Sequence, residues 1–244
     1  MSDHRPQELL IDTLAGMLAG LRHVAVGAAS PIPGAAALLA RARDPQLRVS
    51  ILGSEQHNPF TDGGRELFDC AAQGRIDAFF LGGGQIDGGA DINLVGVGGY
   101  PQSCVRWPGS FGSAYLYFLV PRVILFREEH TSRVLVPKVE FVSAPGTSAA
   151  GIDRPGGPYA LVTGRCVFRF EANRRRFRLA SVHPGHTAGE IAHHTGFTYD
   201  VPDEVPSTPS PSPETLALIR GRIGAEIAET YPAFVARVLG VSAT

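Results

Sequence analysis

The chain is poor in charge, in sulfur and in indole. Charged residues fill only 18% of its 244 positions, Lys plus Arg (22) nearly balance Asp plus Glu (23), and the formal net charge is -1. Without a basic excess there is no electrostatic footprint for nucleic acid or for an anionic membrane surface, so neither partner is expected. The three cysteines, Cys70, Cys104 and Cys166, are odd in number and widely spaced. That set makes neither a disulfide framework nor a metal-ligand spacing, which predicts no metal and a reducing, cytoplasmic setting. No stretch approaches the roughly 18 apolar residues of a membrane span. Met1 to Glu8 is polar and lacks a basic segment leading into an apolar one, so no signal peptide is expected.

Apolar residues, by contrast, are plentiful at 44%, beside Gly 29 and Pro 19. Low charge with this much apolar material suggests a face buried against a partner. Glu8 to Leu21 repeats Leu9, Leu10, Leu14, Met17, Leu18 and Leu21 at spacings of three and four, the pattern of an amphipathic helix. His23 to Gly27 reads as a buried strand. Ser30 and Pro31 open the next helix as cap and first-turn residue, and Gly34 to Arg43 continues it. Arg48 to Leu52 is a second strand, Glu66 to Gly74 a helix, and Ile76 to Leu81 a third strand. This alternation predicts parallel strands joined by crossover helices. Ile92 to Val97, Arg122 to Phe126 and a bent Val134 to Val142 read as further strands, and Ala114 to Val120 as a helix. Ala160 to Thr163, Cys166 to Glu171 and Arg178 to Val182 read as short antiparallel strands, and Thr187 to Thr195 as a helix.

The expected fold is therefore α/β: an open, mostly parallel sheet with flanking helices, short antiparallel strands and a helical C-terminal appendage. The expected spans are an α/β domain over 1–200, a Pro/Ser-rich linker over 201–213 and the appendage over 214–244.

Two glycine-rich segments and one carboxylate stand out. Gly82-Gly83-Gly84 follows the apolar run Ala78 to Leu81, leaving bare backbone at the tip of a strand, where open α/β sheets place ligands. It lacks the G-x-G-x-x-G pattern that opens a dinucleotide-binding helix. Gln85 and Asp87 leave the tip as polar groups that hold a ligand or build a turn. Arg106 to Ser113 (RWPGSFGS) precedes a helix. The backbone of Gly109, Ser110 and Gly112 is positioned to receive an oxyanion, and Arg106 to pair with a carboxylate or phosphate, unless the segment is a packed surface loop. Glu55 lies on the loop after the second strand, either as nucleophile or general base or as an exposed glutamate without a role. His57, two residues on, is a candidate proton carrier. His183 and His186 read as part of a turn and lack a third ligand at sensible spacing, and His193-His194 reads as surface on the short helix.

Phe68 to Asp87 (FDCAAQGRIDAFFLGGGQID), Asn93, Arg106 to Gly112, Pro121 to His130, Val167 to Phe170 and Ser181 to Phe197 run in one order. Together they resemble the β-subunit of a family I coenzyme A transferase, in the glutaconate CoA-transferase-like branch. The resemblance implies an α/β fold, an α-subunit of the same family as partner in a heterodimer or heterotetramer, acyl-CoA and carboxylic acid substrates, and no cofactor beyond coenzyme A as substrate. It implies a glutamate that attacks the thioester and becomes a glutamyl-CoA, a role that falls to Glu55. The thioester pocket falls to Gly82, Gly83, Gly84, Gln85, Asp87, Arg106, Gly109, Ser110 and Gly112. Counted without a gap, however, the nucleophile position is Leu52. The chain would then resemble the family's ring-cleaving hydrolases or decarboxylases, with the acid on the α-subunit. A third reading is a binding or regulatory subunit without chemistry of its own.

Overall fold

The computed structural model describes residues 4–240. In chain order the elements begin with α1 (Pro6–Gly16), β1 (His23–Val26), α2 (Pro31–Arg43), β2 (Arg48–Ile51), α3 (Gly63–Ala72) and β3 (Ala78–Leu81). Four two-residue strands follow: β4 (Gln85–Ile86), β5 (Ile92–Asn93), β6 (Gly96–Val97) and β7 (Val105–Arg106). Next come α4 (Ser113–Leu119), β8 (Arg122–Arg127), β9 (Pro158–Thr163), β10 (Cys166–Glu171), β11 (Arg176–Val182) and α5 (Ala188–His194). The chain ends in α6 (Pro213–Leu218), α7 (Gly224–Ala228) and α8 (Pro232–Phe234), with π-type turns over Ile219–Ile223 and Val235–Leu239. This is the expected α/β architecture, arranged as two compact units.

The first unit holds residues up to Leu67, then Arg75–Phe80, then the chain from Pro209 onward. In it β1 pairs in parallel with β2 and with β3. His23 to Val26 is buried at every position, as a parallel strand covered on both faces should be. α1 packs on α2, and Leu10, Ile11, Leu14, Ala35, Leu38 and Leu39 are closed to solvent. Ile219, Ile223 and Ile227 of the C-terminal segment are fully buried in this same core. The Glu8 carboxylate is buried too. It accepts from the Arg5 backbone N–H at 2.7 Å and from Arg220 Nε and Nη2 at 2.6 and 2.9 Å. Burial alone would raise its pKa; these bonds outweigh it and leave the carboxyl below its ordinary range.

The second unit holds Phe68–Gly74 and Leu81–Thr208. β8 and β9 are parallel, whereas β9, β10 and β11 form an antiparallel meander. Phe168 and Phe177 are fully buried, and Phe197 packs on both. His130 and His183 are buried polar groups beneath this layer. His130 bonds Thr163 and Thr195 hydroxyls through its two ring nitrogens at 2.8 and 3.0 Å. His183 bonds the Thr208 hydroxyl and the Thr163 carbonyl at 2.8 and 3.0 Å. Desolvation lowers both imidazoles to about 4 and pushes the neighbouring Cys166 thiol up to about 12.

Three local expectations are corrected. α1 stops at Gly16, although the apolar spacing runs on to Leu21. Met17, Leu18 and Leu21 donate to carbonyls three residues back, so tight turns keep Met17 and Leu18 buried without an α-helix. Val134 to Val142 is not a strand. Val134, Leu135, Val136 and Val139 are buried while Val142 is exposed; Ile86 of β4 donates to Val134 and accepts from Val136, and the ladder stops before Pro137. Ser30 sits at the start of α2 but does not cap it; its hydroxyl donates to the Ala28 carbonyl at 3.3 Å.

Candidate functional site

In the first unit, the chain leaving β2 folds back at once. Leu52 N–H still donates to the Val26 carbonyl at 2.9 Å, so Leu52 is the last residue tied to β1. Gly53 turns with φ +91°, and Ile51 N–H closes the loop on the His57 carbonyl at 2.9 Å. Ser54 is buried and Glu55 is exposed. The Ser54 hydroxyl accepts from the N–H groups of Gln56 and His57 at 3.2 and 2.9 Å, the side-chain turn that serine forms readily. The same hydroxyl donates to Glu229 Oε2 at 2.8 Å, and Glu55 N–H donates to Glu229 Oε1 at 2.7 Å. Burial would raise the Glu229 carboxyl. Bonds from Thr230, Glu55 and Ser54, with the field of His57, leave it lowered instead.

His57 points to Glu226, whose carboxylate also receives Arg41. The separation from His57 Nε2 to Glu226 Oε1 is 3.3 Å, outside hydrogen-bonding geometry. Burial first, then Arg41, lower the His57 imidazole against the pull of Glu226 and Glu229. Tyr231 accepts from Ser30 N–H at 3.2 Å. The C-terminal segment thus binds the loops that follow both β1 and β2. Nothing local in the sequence signalled this, because Glu55 and Glu229 lie 174 residues apart.

In the second unit, the glycine tip is packed by the protein itself. A Cβ on Gly84 would lie 2.3 Å from Trp107 Cη2, and one on Gly83 would lie 2.7 Å from Ile92 Cγ2. The single tryptophan of the chain therefore occupies the space that Gly84 leaves bare, and its backbone N–H donates to the Val95 carbonyl at 3.0 Å. Gly82 is looser, with the Phe126 carbonyl 3.3 Å from a Cβ position. Gln85 and Asp87 are buried within loop networks. Gln85 accepts from Asn93 Nδ2 at 2.8 Å and donates to Glu140 at 2.9 Å. Asp87 accepts from the N–H groups of Gly89, Asp91 and Val139. Burial raises its carboxyl despite those bonds.

The other glycine loop is more open. Arg106 is exposed on β7 with its guanidinium 5.6 Å from the Tyr100 ring centroid. Gly109 is exposed and Ser110 half-buried, and the Ser110 carbonyl accepts from Ser113 N–H at 2.8 Å. Gly112 opens α4 with φ +64°, and a Cβ there would lie 2.3 Å from the Phe68 ring. Phe111 is 77% exposed and leans on Phe68. An open cleft of about 430 Å³ lies elsewhere in this unit, lined in part by Thr147, Arg154, Gly157 and Arg175, and by none of these candidate residues. Arg154 donates there to the carbonyls of Gly156, Pro145 and Tyr117, which marks it as a loop brace.

Among the described residues, no helix is long and apolar enough to cross a membrane, and no group of three or more His, Cys, Asp or Glu is placed to hold a metal ion.

Parallel strands, a glycine tip after β3 packed by Trp107 and Ile92, and an exposed glutamate on the loop after β2 define an open α/β protein with these two candidate features beyond the carboxyl ends of parallel strands. The Coenzyme A transferase family profile matches residues 11–194, and the chain belongs to that family. As expected from its motifs, its likeness is to β-type subunits. The chain is 32% identical to the B subunit of 3-oxoadipate CoA-transferase from Pseudomonas knackmussii, over 64% of this chain and 62% of that protein. It is 29% identical to the cholesterol ring-cleaving hydrolase IpdB subunit of Rhodococcus jostii, over 64% and 62%. The match thus spans somewhat under two thirds of these relatives' own length. Among solved structures, the decarboxylase AibA/AibB superposes with TM-score 0.79 at 25% identity, covering 98% of this chain and 100% of that one. A transferase, a hydrolase and a decarboxylase thus share this family's scaffold.

Proposed function

We propose that the protein is the β-type subunit of a heteromeric enzyme that moves coenzyme A between carboxylic acids, with Glu55 as nucleophile. The observation that carries this reading is the exposed Glu55 carboxylate on a loop braced through its own backbone, directly after β2. A nucleophile needs to be accessible and yet held in place. The likeness to one subunit of a 3-oxoadipate CoA-transferase supports the same reading.

In the proposed reaction a Glu55 carboxylate oxygen attacks the acyl-CoA carbonyl carbon. The C–S bond breaks, and the coenzyme A thiolate leaves with the electron pair. The mixed anhydride that results is attacked by that thiolate at the glutamyl carbon, which releases the donor carboxylate and leaves glutamyl-CoA. The acceptor carboxylate then repeats the sequence in reverse. No oxidant, metal or external proton is consumed. Gly82, Gly83, Gly84, Gln85, Asp87, Arg106, Gly109, Ser110 and Gly112 are proposed to frame the thioester pocket. In that division of labour Gly83, Gly84 and Gly112, packed by Ile92, Trp107 and Phe68, set loop shape together with Gln85 and Asp87, and Arg106, Gly109 and Ser110 meet the ligand. The proposed partner is an α-type subunit, in keeping with a relative that is itself one subunit of its enzyme.

A second reading is a hydrolase or decarboxylase with the working acid on the partner subunit. It is favoured by the likeness to AibA/AibB and by an apolar Leu52 directly after β2, the last residue bonded to β1. Borohydride or hydroxylamine added to the complex during turnover with acetyl-, succinyl- or glutaryl-CoA separates the two. Modification of Glu55, located by peptide mass spectrometry, is the result expected for transfer. Turnover with Glu55 unmodified assigns the chemistry to the partner.

A further inference from the structure

We infer that Glu229, contributed by the C-terminal segment, is a positioning residue for the Glu55 loop, so that this segment is a working part of the site. The inference rests on the proposed role of Glu55. Its geometry is specific to a carboxylate. Glu229 places one oxygen on the Glu55 backbone N–H at 2.7 Å and the other on the Ser54 hydroxyl at 2.8 Å. A carboxylate offers two acceptor atoms; an amide offers one acceptor and one donor, and its N–H either opposes Glu55 N–H or faces the Ser54 hydroxyl, whose lone pairs already accept from Gln56 and His57. The Thr230 hydroxyl bonds Oε2 as well, at 2.5 Å, which fixes the carboxylate plane.

The segment carrying Glu229 is itself anchored. Ile227 is fully buried against α2, at the place where Gly34 has no side chain: a Cβ there would lie 3.0 Å from Ile227 Cδ1. Glu226 receives Arg41 from α2, and Tyr231 accepts from Ser30 N–H. Three attachments to α2 and to the loop before it thus fix Glu229, which in turn fixes the backbone of residues 54 and 55. This arrangement leaves the Glu55 side chain exposed while its Cα is held, which is what a loop-borne nucleophile requires.

The test uses Glu229→Gln in the complete complex, with acetyl-, succinyl- and glutaryl-CoA as donors and acetate as acceptor. The variant keeps size and shape, and the attachments through Ile227, Glu226 and Tyr231 maintain the fold. Expected is a kcat lower by about ten- to a hundredfold, the scale of a misplacement near 1 Å. KM for the acyl-CoA should stay within about twofold, because ground-state binding is not touched. The fraction of Glu55 trapped by borohydride should fall with kcat, and the Glu55 amide should exchange hydrogen at least about tenfold faster. Ser54→Ala, which removes the second contact together with the turn bonds from Gln56 and His57 N–H, should split kcat from KM in the same direction and at least as far. Wild-type trapping together with undiminished kcat and trapping in Glu229→Gln would overturn the inference while leaving Glu55 as nucleophile. Absence of trapping in the wild type during turnover would overturn the reading of Glu55 and, with it, this inference.

Discussion

The residue that most changes the picture of the glycine tip is Trp107. A triple glycine after an apolar strand suggests open space for a ligand, but the indole already lies where a Gly84 side chain would be. Gly84→Ala forces the ring or the strand tip to move. Overpacking of this kind costs about 1–3 kcal/mol. Because the chain has a single tryptophan, its fluorescence reports the site directly. Gly84→Ala is expected to red-shift the emission as the indole swings toward water, and Gly82→Ala, with a 3.3 Å nearest neighbour, to leave it nearly unchanged. Identical spectra for Gly84→Ala and wild type would show that the ring does not depend on the glycine. Glu8 makes a second case at this scale. Arg220→Ala takes two side-chain bonds from a buried carboxylate that keeps its Arg5 N–H bond, a change worth about 1–3 kcal/mol in urea unfolding.

At the scale of elements, the β10–β11 layer and the chain around it are tied by neutral histidines. His130 and His183 stand near 4 in the folded protein against an ordinary value of 6.5. A depressed histidine contributes stability that is present above its unfolded pKa and lost as the pH falls toward the folded one. Between pH 7 and pH 5 each histidine is therefore expected to withdraw about 2 kcal/mol. Urea unfolding at the two pH values checks this, and His183→Gln should remove roughly half of the difference. The same elements show how far the sequence can be read. The βαβ order, both glycine loops and α5, capped by Thr187 on the Glu190 N–H, follow from local pattern and turn chemistry. Val134 to Val142 does not, because an apolar run has the same composition whether it forms a ladder or packs as a loop. The burial of Val134 to Val136 beside β4 depends on residues about 50 positions away in the chain.

On the scale of the whole molecule, the C-terminal segment belongs to the first unit, and its acids serve the loop that carries Glu55. The Pro- and Ser-rich stretch before it reads from sequence as a spacer, and no local pattern could have linked residue 229 to residue 55. Ile227→Ala, at a fully buried position, is expected to cost about 2–5 kcal/mol and to release the segment. The family and its fold are legible in the order of the motifs; the reaction is not, since transferase, hydrolase and decarboxylase relatives share the same scaffold. The choice among them comes down to whether Glu55 forms a bond with substrate. The most direct test is oxygen transfer. In the proposed cycle the acceptor carboxylate leaves one of its oxygens on the glutamate when the new acyl-CoA is formed. Turnover of the complete complex with an ¹⁸O-labelled acceptor carboxylate, followed by mass spectrometry of the peptide containing Glu55, should show the label on that side chain. Product formation with the Glu55 peptide free of label would contradict a nucleophilic Glu55.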